Sequence, residues 1–340
     1  TIVSLQFLGT AQKIIEDSMK KYHNFVGIDI GKFEFVSFSQ THDKTKVYPN
    51  TKPGFKKFYS DYRAPLKGAL VILETTGGYE SELLNFLLSK EIIVHRANTR
   101  QVKNFIRSFG QHAKTDDLDA KALAQYGLER QASLVPYKRQ SEEQEKLKLL
   151  VERRQDLTKM LVQEKNRYQA PLSGPFRKGI RTVITCLEKQ IEKINVMIEK
   201  LIGKDEEMGN KKTILQDIPG VGPATANALL ALLPELGQLD RKQIASLCGL
   251  APHPRQSGSK VWYSKTTGGR RDMRPILFLA AMGASRCKEG ELSQFHKRLI
   301  KKGKKPMVAL VAVMRKIVVI ANARIKEAFY EDSLFEESLK

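Results

Sequence analysis

Between residues 184 and 201 apolar side chains recur at Ile184, Leu187, Ile191, Ile194, Ile198 and Leu201, in unbroken steps of three and four. That spacing lines up one stripe of an α-helix, and a helix so striped must lay it against another. A second series precedes it at Leu147, Leu150, Leu157, Leu161 and Tyr168, with Arg154 and Glu164 at the two seam positions that break the apolar run. The intervening QAPLSGP cannot continue a helix. The pattern predicts a coiled-coil helical hairpin over residues 136–208. Its seam can close within one chain or on a second chain, and an ordinary bundle core would show the same periodicity.

The hairpin separates two stretches of different character. In residues 23–135, FVGIDI, FEFVSFS, ALVILE and IIVH read as strands, and 54–62, 79–89 and 116–129 carry helical periodicity, so an α/β domain with a mixed sheet flanked by helices is expected. Residues 209–326 read as an all-α domain whose VALVAVMRKIVVIANA is a buried helix. Residues 1–22 form an extension with no assigned role, and 327–340 an acidic tail.

With 41% apolar and 28% charged residues the chain is neither a disordered polymer nor a membrane bundle. Its 58 Lys and Arg against 37 Asp and Glu leave +21, a field that attracts polyanions, nucleic acid first among them. Much of that excess lies in residues 241–305, where 16 Lys and Arg face only Asp272, Glu289 and Glu291. Cys186, Cys248 and Cys287 are spaced neither as a disulfide framework nor as a zinc site. The opening TIVSLQFLGT has no basic signal-peptide start, and no run approaches the ~20 apolar residues of a membrane span, so a cytoplasmic protein without a membrane partner is expected. The six histidines show no metal-binding spacing.

Two sets of residues could carry chemistry. Asp29 stands in FVGIDIGK between Gly27 and Gly31, Glu74 ends the strand ALVILE, and Asp116 and Asp119, three apart at a helix start, share a face. Carboxylates in this number suit Mg²⁺, which takes hard oxygen ligands and substrate phosphates, although an Asp at a helix start also serves as an N-cap. Their order along the chain is the ribonuclease-H-like layout of metal nucleases.

The second set is basic. LQDIPGVGPATA resembles a helix-hairpin-helix, whose turn, here with Gly220 and Gly222, offers backbone N–H groups to a phosphate without reading bases; a plain αα-turn would need the same glycines. The loop-like stretch that follows sets Ser257 between Arg255 and Lys260, ahead of Arg270, Arg271 and Arg274. A cationic field eases formation of a serine alkoxide and stabilises a phosphoryl group in transfer, while a lone Ser-Gly is more commonly a turn. Trp262 and Tyr263 could stack on a base or pack. Lys301, Lys302, Lys304 and Lys305 around Gly303 suit phosphate contact or a solvated face.

Taken together and in order, GIDIGK, ETTGGY and KTDDLDA, then IPGVGPATA, GLAPHPRQSG, GGRRDMR and VALVAVMRK, resemble the DEDD transposases of the insertion-sequence-110 family, a group that includes the pilin-gene invertases. The likeness runs from about residue 25 to 326. It implies a ribonuclease-H-like (RuvC-like) domain, a coiled-coil connection and a helical transposase domain. Carried over position by position, it implies a tetrad of Asp29, Glu74, Asp116 and Asp119 holding Mg²⁺, with Asp117 a bystander, and Ser257 as a nucleophile that forms a phosphoserine with double-stranded DNA. It further implies a structured guide RNA that specifies donor and target by pairing, and assembly as a homodimer or homotetramer. Relatives often carry a glycine where this chain has Ser259, a rival hydroxyl, and SRCKEGE replaces their polar turn. The alternative is a metal-dependent Holliday-junction nuclease that activates water, with Ser257 only a loop residue; a third reading is a catalytically silent nucleic-acid binder.

Overall fold

A computed structural model describes residues 22–75, 77–108, 116–257, 260–288 and 290–329, with the backbone path alone over 254–264. The chain divides into two units, Thr1–Arg139 and Gln140–Lys340.

The first unit is built on a five-stranded sheet. β1 (Asn24–Ile30), β2 (Glu34–Ser39) and β3 (Lys46–Pro49) form an antiparallel meander, and β4 (Ala69–Glu74) and β5 (Ile93–Ala97) extend it in parallel, in the order β3-β2-β1-β4-β5. β1 and β4 are almost continuously apolar because helices cover both their faces. Val26, Ile28, Val71 and Leu73 point into one core with α1 (Lys52–Asp61), α2 (Arg63–Leu66) and α3 (Ser81–Ser89). Phe25, Leu70 and Ile72 alternate to the other face, where α4 (Thr99–Ser108) and α5 (Asp116–Arg130) bring Val102, Phe105, Leu123 and Tyr126. β3, α2 and α4 escape the sequence pattern. β3 buries Tyr48 alone, and α4 offers a core only Val102 and Phe105. Tyr22 is buried edge-on to Phe25, so this core begins one residue before the boundary drawn from the sequence.

In the second unit the hairpin is α6 (Glu142–Gln169), a 3-10 turn over Pro171–Phe176, and α7 (Arg177–Ile202). Ser141 caps α6 by accepting from the Gln144 N–H at 3.1 Å. Leu147, Val151, Leu157, Ile194, Ile198 and Ile202 are buried at the root and merge with the core of the unit. Leu161, Ile184, Leu187 and Ile191, farther out, are half-buried. Arg154 is accommodated in the seam by donating from Nε to Asn195 Oδ1 at 2.6 Å, and Lys165 pairs with Glu188 across the hairpin at 2.8 Å.

Beyond it come α8 (Glu206–Gln216), α9 (Pro223–Leu232), α10 (Arg241–Leu247), the antiparallel pair β6 (Pro252–Ser257) and β7 (Lys260–Thr266), α11 (Met273–Arg286), α12 (Glu291–Lys301) and α13 (Pro306–Phe329). The stretch read as a loop is therefore a β-hairpin; its KVWYSKT half has the β-branched and aromatic content of a strand. α13 corrects the expectation that no run reaches membrane-spanning length, for it is long and apolar enough by composition. Val313, Ile317, Val318, Ala321 and Ile325 are instead buried in the core against α8, α10, α11 and α12. α13 also takes in residues 327–329 of the expected acidic tail; 330–340 and 1–21 lie outside the described residues.

Candidate metal centre and basic surface

Asp29 and Glu74 reach the same end of the sheet because β1 and β4 are parallel with Ile28 paired to Leu73, one residue before each acid. α5 crosses this end at unusually close range. A Cβ on Gly27 would stand 2.0 Å from the Ala120 carbonyl oxygen and 2.5 Å from the Ala124 nitrogen, so only glycine lets the helix backbone rest on the strand. The first turn of α5 then brings Asp116 and Asp119 to Asp29, and one carboxylate oxygen from each of the three lies within 4.8 Å of the others. Glu74 is outside that triplet and acts on Asp29 through its charge. The described part of α5 begins at Asp116, with Asp116, Asp117 and Asp119 in its first turn, where acids also favour the helix dipole.

Asp29 is pushed up to about 6 by burial first, and then by the negative charges of Asp119, Asp116 and Glu74; a hydrogen bond from the Ile30 backbone works the other way. A group held this way binds a proton or a cation readily. Acceptor-only carboxylate oxygens are the donor set of Mg²⁺ or another hard divalent ion, and the triplet fits such an ion in its chemistry.

Residues that sequence reasoning missed hold the rim of this centre. Glu80 is fully buried; Arg96 Nη2 donates to its Oε1 at 2.5 Å and the Gly78 N–H to its Oε2 at 3.0 Å, which ties the turn after Glu74 to β5. Asn50 Nδ2 donates both to Gly31 O at 3.0 Å and to Tyr79 O at 3.1 Å, fastening the loop after β1 to the same turn. No spacing announces either device. The only signal was an acid, Glu80, close behind a Gly-Gly turn.

In the second unit the structure sorts the basic candidates. Arg270 leaves the phosphate-contacting set: its guanidinium donates to Leu232 O at 2.6 Å and to both oxygens of Glu235 at 2.7 and 2.5 Å, so it fastens its own segment to the end of α9. Arg271, Arg274, Lys301, Lys304 and Lys305 have no ion-pair partner among the described residues. Gly220 is explained by packing, since at φ +86° a Cβ would lie 2.3 Å from Ala280 O of α11, whereas a Cβ on Gly222, which opens α9, would meet open space. Ser257 ends β6 opposite Lys260 of β7, and Arg255 is opposite Trp262; these are backbone registers. Ser259 lies outside the described residues.

Known proteins resemble the chain across both units. Residues 26–177 match the DEDD transposase family of IS110, and residues 212–297 match the family described as Transposase IS116/IS110/IS902. Two curated relatives, the pilin gene-inverting proteins of Moraxella lacunata and Moraxella bovis, are each 28% identical over 311 residues, covering 89% of this chain and 96% of theirs.

Proposed function

Because the chain belongs to the IS110 family of transposases, and is thus an enzyme of DNA recombination, we propose that it transposes an insertion sequence by cutting and rejoining double-stranded DNA through a phosphoserine on Ser257. The observation that carries this reading is the convergence of Asp29, Asp116 and Asp119 at a sheet end beside Glu74, in a chain whose second unit concentrates unpaired positive charge. An antiparallel meander extended by two parallel strands supports a ribonuclease-H-like first unit.

Asp29, Asp116 and Asp119, with Glu74 beside them, are the residues that would hold Mg²⁺, which when bound polarises a phosphate and offsets its charge. Ser257 Oγ attacks the scissile phosphorus. The Ser–O–P bond forms as the bond from phosphorus to one deoxyribose oxygen breaks, and that oxygen leaves as a hydroxyl carrying the proton the serine gives up. The phosphodiester energy stays in the phosphoserine, so the reverse attack by a hydroxyl of another strand rejoins DNA without a nucleotide cofactor. Arg271 and Arg274 supply guanidinium charge to the phosphates. Selection of sites by pairing with a structured guide RNA, and assembly as a homodimer or homotetramer, complete the proposal; the half-buried outer seam of the hairpin supports assembly.

The test is a denaturing gel of protein incubated with donor and target DNA and Mg²⁺. A protease-sensitive adduct that Ser257→Ala abolishes and Ser259→Ala retains is expected. Strand exchange surviving Ser257→Ala overturns the serine step, and cutting that never yields an adduct yet stops in Asp29→Asn selects the junction nuclease instead. Sequencing RNA that copurifies from cells carrying the flanking DNA tests the guide: one discrete foldable species is expected, and a heterogeneous mixture argues for direct recognition of DNA sites.

A further inference from the structure

The positive charge of this chain is not confined to residues 241–305. Along α7 from Lys178 to Lys193, Lys178, Arg181, Lys189 and Lys193 line one shallow open channel of about 550 Å³ together with Thr182 and Thr185. At 100° per residue these positions fall within a stripe of roughly 120°, and the seam positions Ile184, Leu187, Ile191 and Ile194 lie on the opposite side of the helix. The basic stripe thus points directly away from α6. At 1.5 Å per residue it is about 22 Å long from Lys178 to Lys193.

Pairing separates this face from the rest of the hairpin. On α6, Lys159 pairs with Asp156, Arg167 with Glu164 and Lys165 with Glu188, so the charge there is largely neutralised. The four basic residues of the α7 stripe have no ion-pair partner among the described residues. Of the two acids of this stretch, Glu188 pairs with Lys165, while Glu192 accepts from Asn195 Nδ2 at 3.3 Å and keeps its charge on the basic side of the helix. With Glu192 among them the four cations leave a net charge of +3 on this face, and basic residues three and four apart repel one another unless a polyanion lies along them. A stretch of 22 Å matches about six base pairs of duplex at 3.4 Å per step, and long basic side chains contact phosphates without reading bases, while the Thr182 and Thr185 hydroxyls donate back to Lys178 O and Arg181 O at 3.1 and 3.0 Å.

We propose that the outward face of α7 is a second DNA-binding surface, seating the phosphate backbone of duplex DNA along Lys178, Arg181, Lys189 and Lys193. The inference rests on the chain being a DNA recombinase and adds to it a contact made by the arm rather than by the segment that carries Ser257. It gives the hairpin a role in holding substrate.

The experiment measures binding of the full-length protein to a fluorescent 40-base-pair duplex across a salt series, comparing wild type with a variant combining Lys178→Gln, Arg181→Gln, Lys189→Gln and Lys193→Gln. All four residues are exposed, and with their mutual repulsion removed the variant should melt at the same temperature or slightly higher. Loss of four phosphate contacts should make the slope of log K against log salt shallower by about 3 to 4. The same change at Lys159, Lys165 and Arg167 should alter it by less than one. Cys186, exposed within the channel, provides an independent readout. With Cys287→Ser removing the other exposed thiol, a photo-cross-linker on Cys186 should join to a DNA strand. Equal slopes for wild type and the fourfold variant, or cross-linking only to RNA or to a second copy of the chain, overturn the inference and leave the recombinase reading standing. A wild type that fails to bind duplex both alone and with its copurifying RNA overturns both.

Discussion

Gly27 lies directly beneath Ala120, so close that a methyl group on the glycine would stand 2.0 Å from the Ala120 carbonyl oxygen. This one absence of a side chain sets the height of α5 above β1, and that height decides whether Asp116 and Asp119 meet Asp29. Gly27→Ala must lift the helix, at a cost of about 1–3 kcal/mol for an overpacked contact. Calorimetry with and without Mg²⁺ should show a lower melting temperature and little stabilisation by the ion; a variant stabilised by Mg²⁺ as much as wild type would show that the contact does not place the acids.

The crowding of Asp29 has a pH signature in metal-free protein. Its carboxyl titrates near 6 in the fold and near the ordinary 3.8 when unfolded. The folded state therefore holds the extra proton between these values, and stability from this group falls as pH rises through that window. Wild type and Asp29→Asn should melt alike near pH 4, and the variant should melt higher at pH 7. Mg²⁺ should raise the wild type at pH 7 and leave Asp29→Asn unmoved; a difference in melting temperature that does not change with pH would refute the assignment.

Glu80 and Arg96 form a pair with one fully buried carboxylate. Arg96→Ala removes this guanidinium from the buried carboxylate and should cost about 3 kcal/mol in urea unfolding. Adding Glu80→Leu to it should recover part of the loss, since the double variant buries no unpaired charge; no recovery would mean that the turn depends on the carboxylate's other bonds.

Neighbouring arginines should separate by salt dependence. Arg271→Ala and Arg274→Ala should each lower the slope of DNA affinity against salt by about 1, as expected for one phosphate contact. Arg270→Ala should leave the slope unchanged and lower stability by about 1 kcal/mol, because its guanidinium is engaged by Glu235 and Leu232. A slope change at Arg270 equal to that at Arg271 would contradict this division.

Local pattern was enough to locate the large elements. The strands β1, β2, β4 and β5 stand out because runs such as FVGIDI and ALVILE are buried on both faces, and α6 and α7 because a helical seam repeats for many residues. The β6–β7 pair was invisible as a sheet, since the PHPRQS strand, with two prolines and followed by Gly-Ser, looks like a loop until it pairs with KVWYSKT. The same limit applies to Arg270, which is chemically identical to Arg271 in sequence and differs only in having Glu235, 35 residues away, within reach.

The sequence by itself determined which residue types are present for chemistry: four acids in order, a serine among arginines, and an excess of positive charge. It also determined the helical hairpin, because periodicity is a property of the chain alone. Only the tertiary structure decided that Asp29, Asp116 and Asp119 share one small volume, and that Glu80 and Asn50 brace the rim around it. It also decided, among the described residues, that Arg270 is paired with Glu235 while its neighbour Arg271 has no ion-pair partner. The physical reason is that proximity across a sheet or between helices depends on packing distance, here the bare backbone of Gly27 against α5, and spacing along the chain carries no measure of that distance.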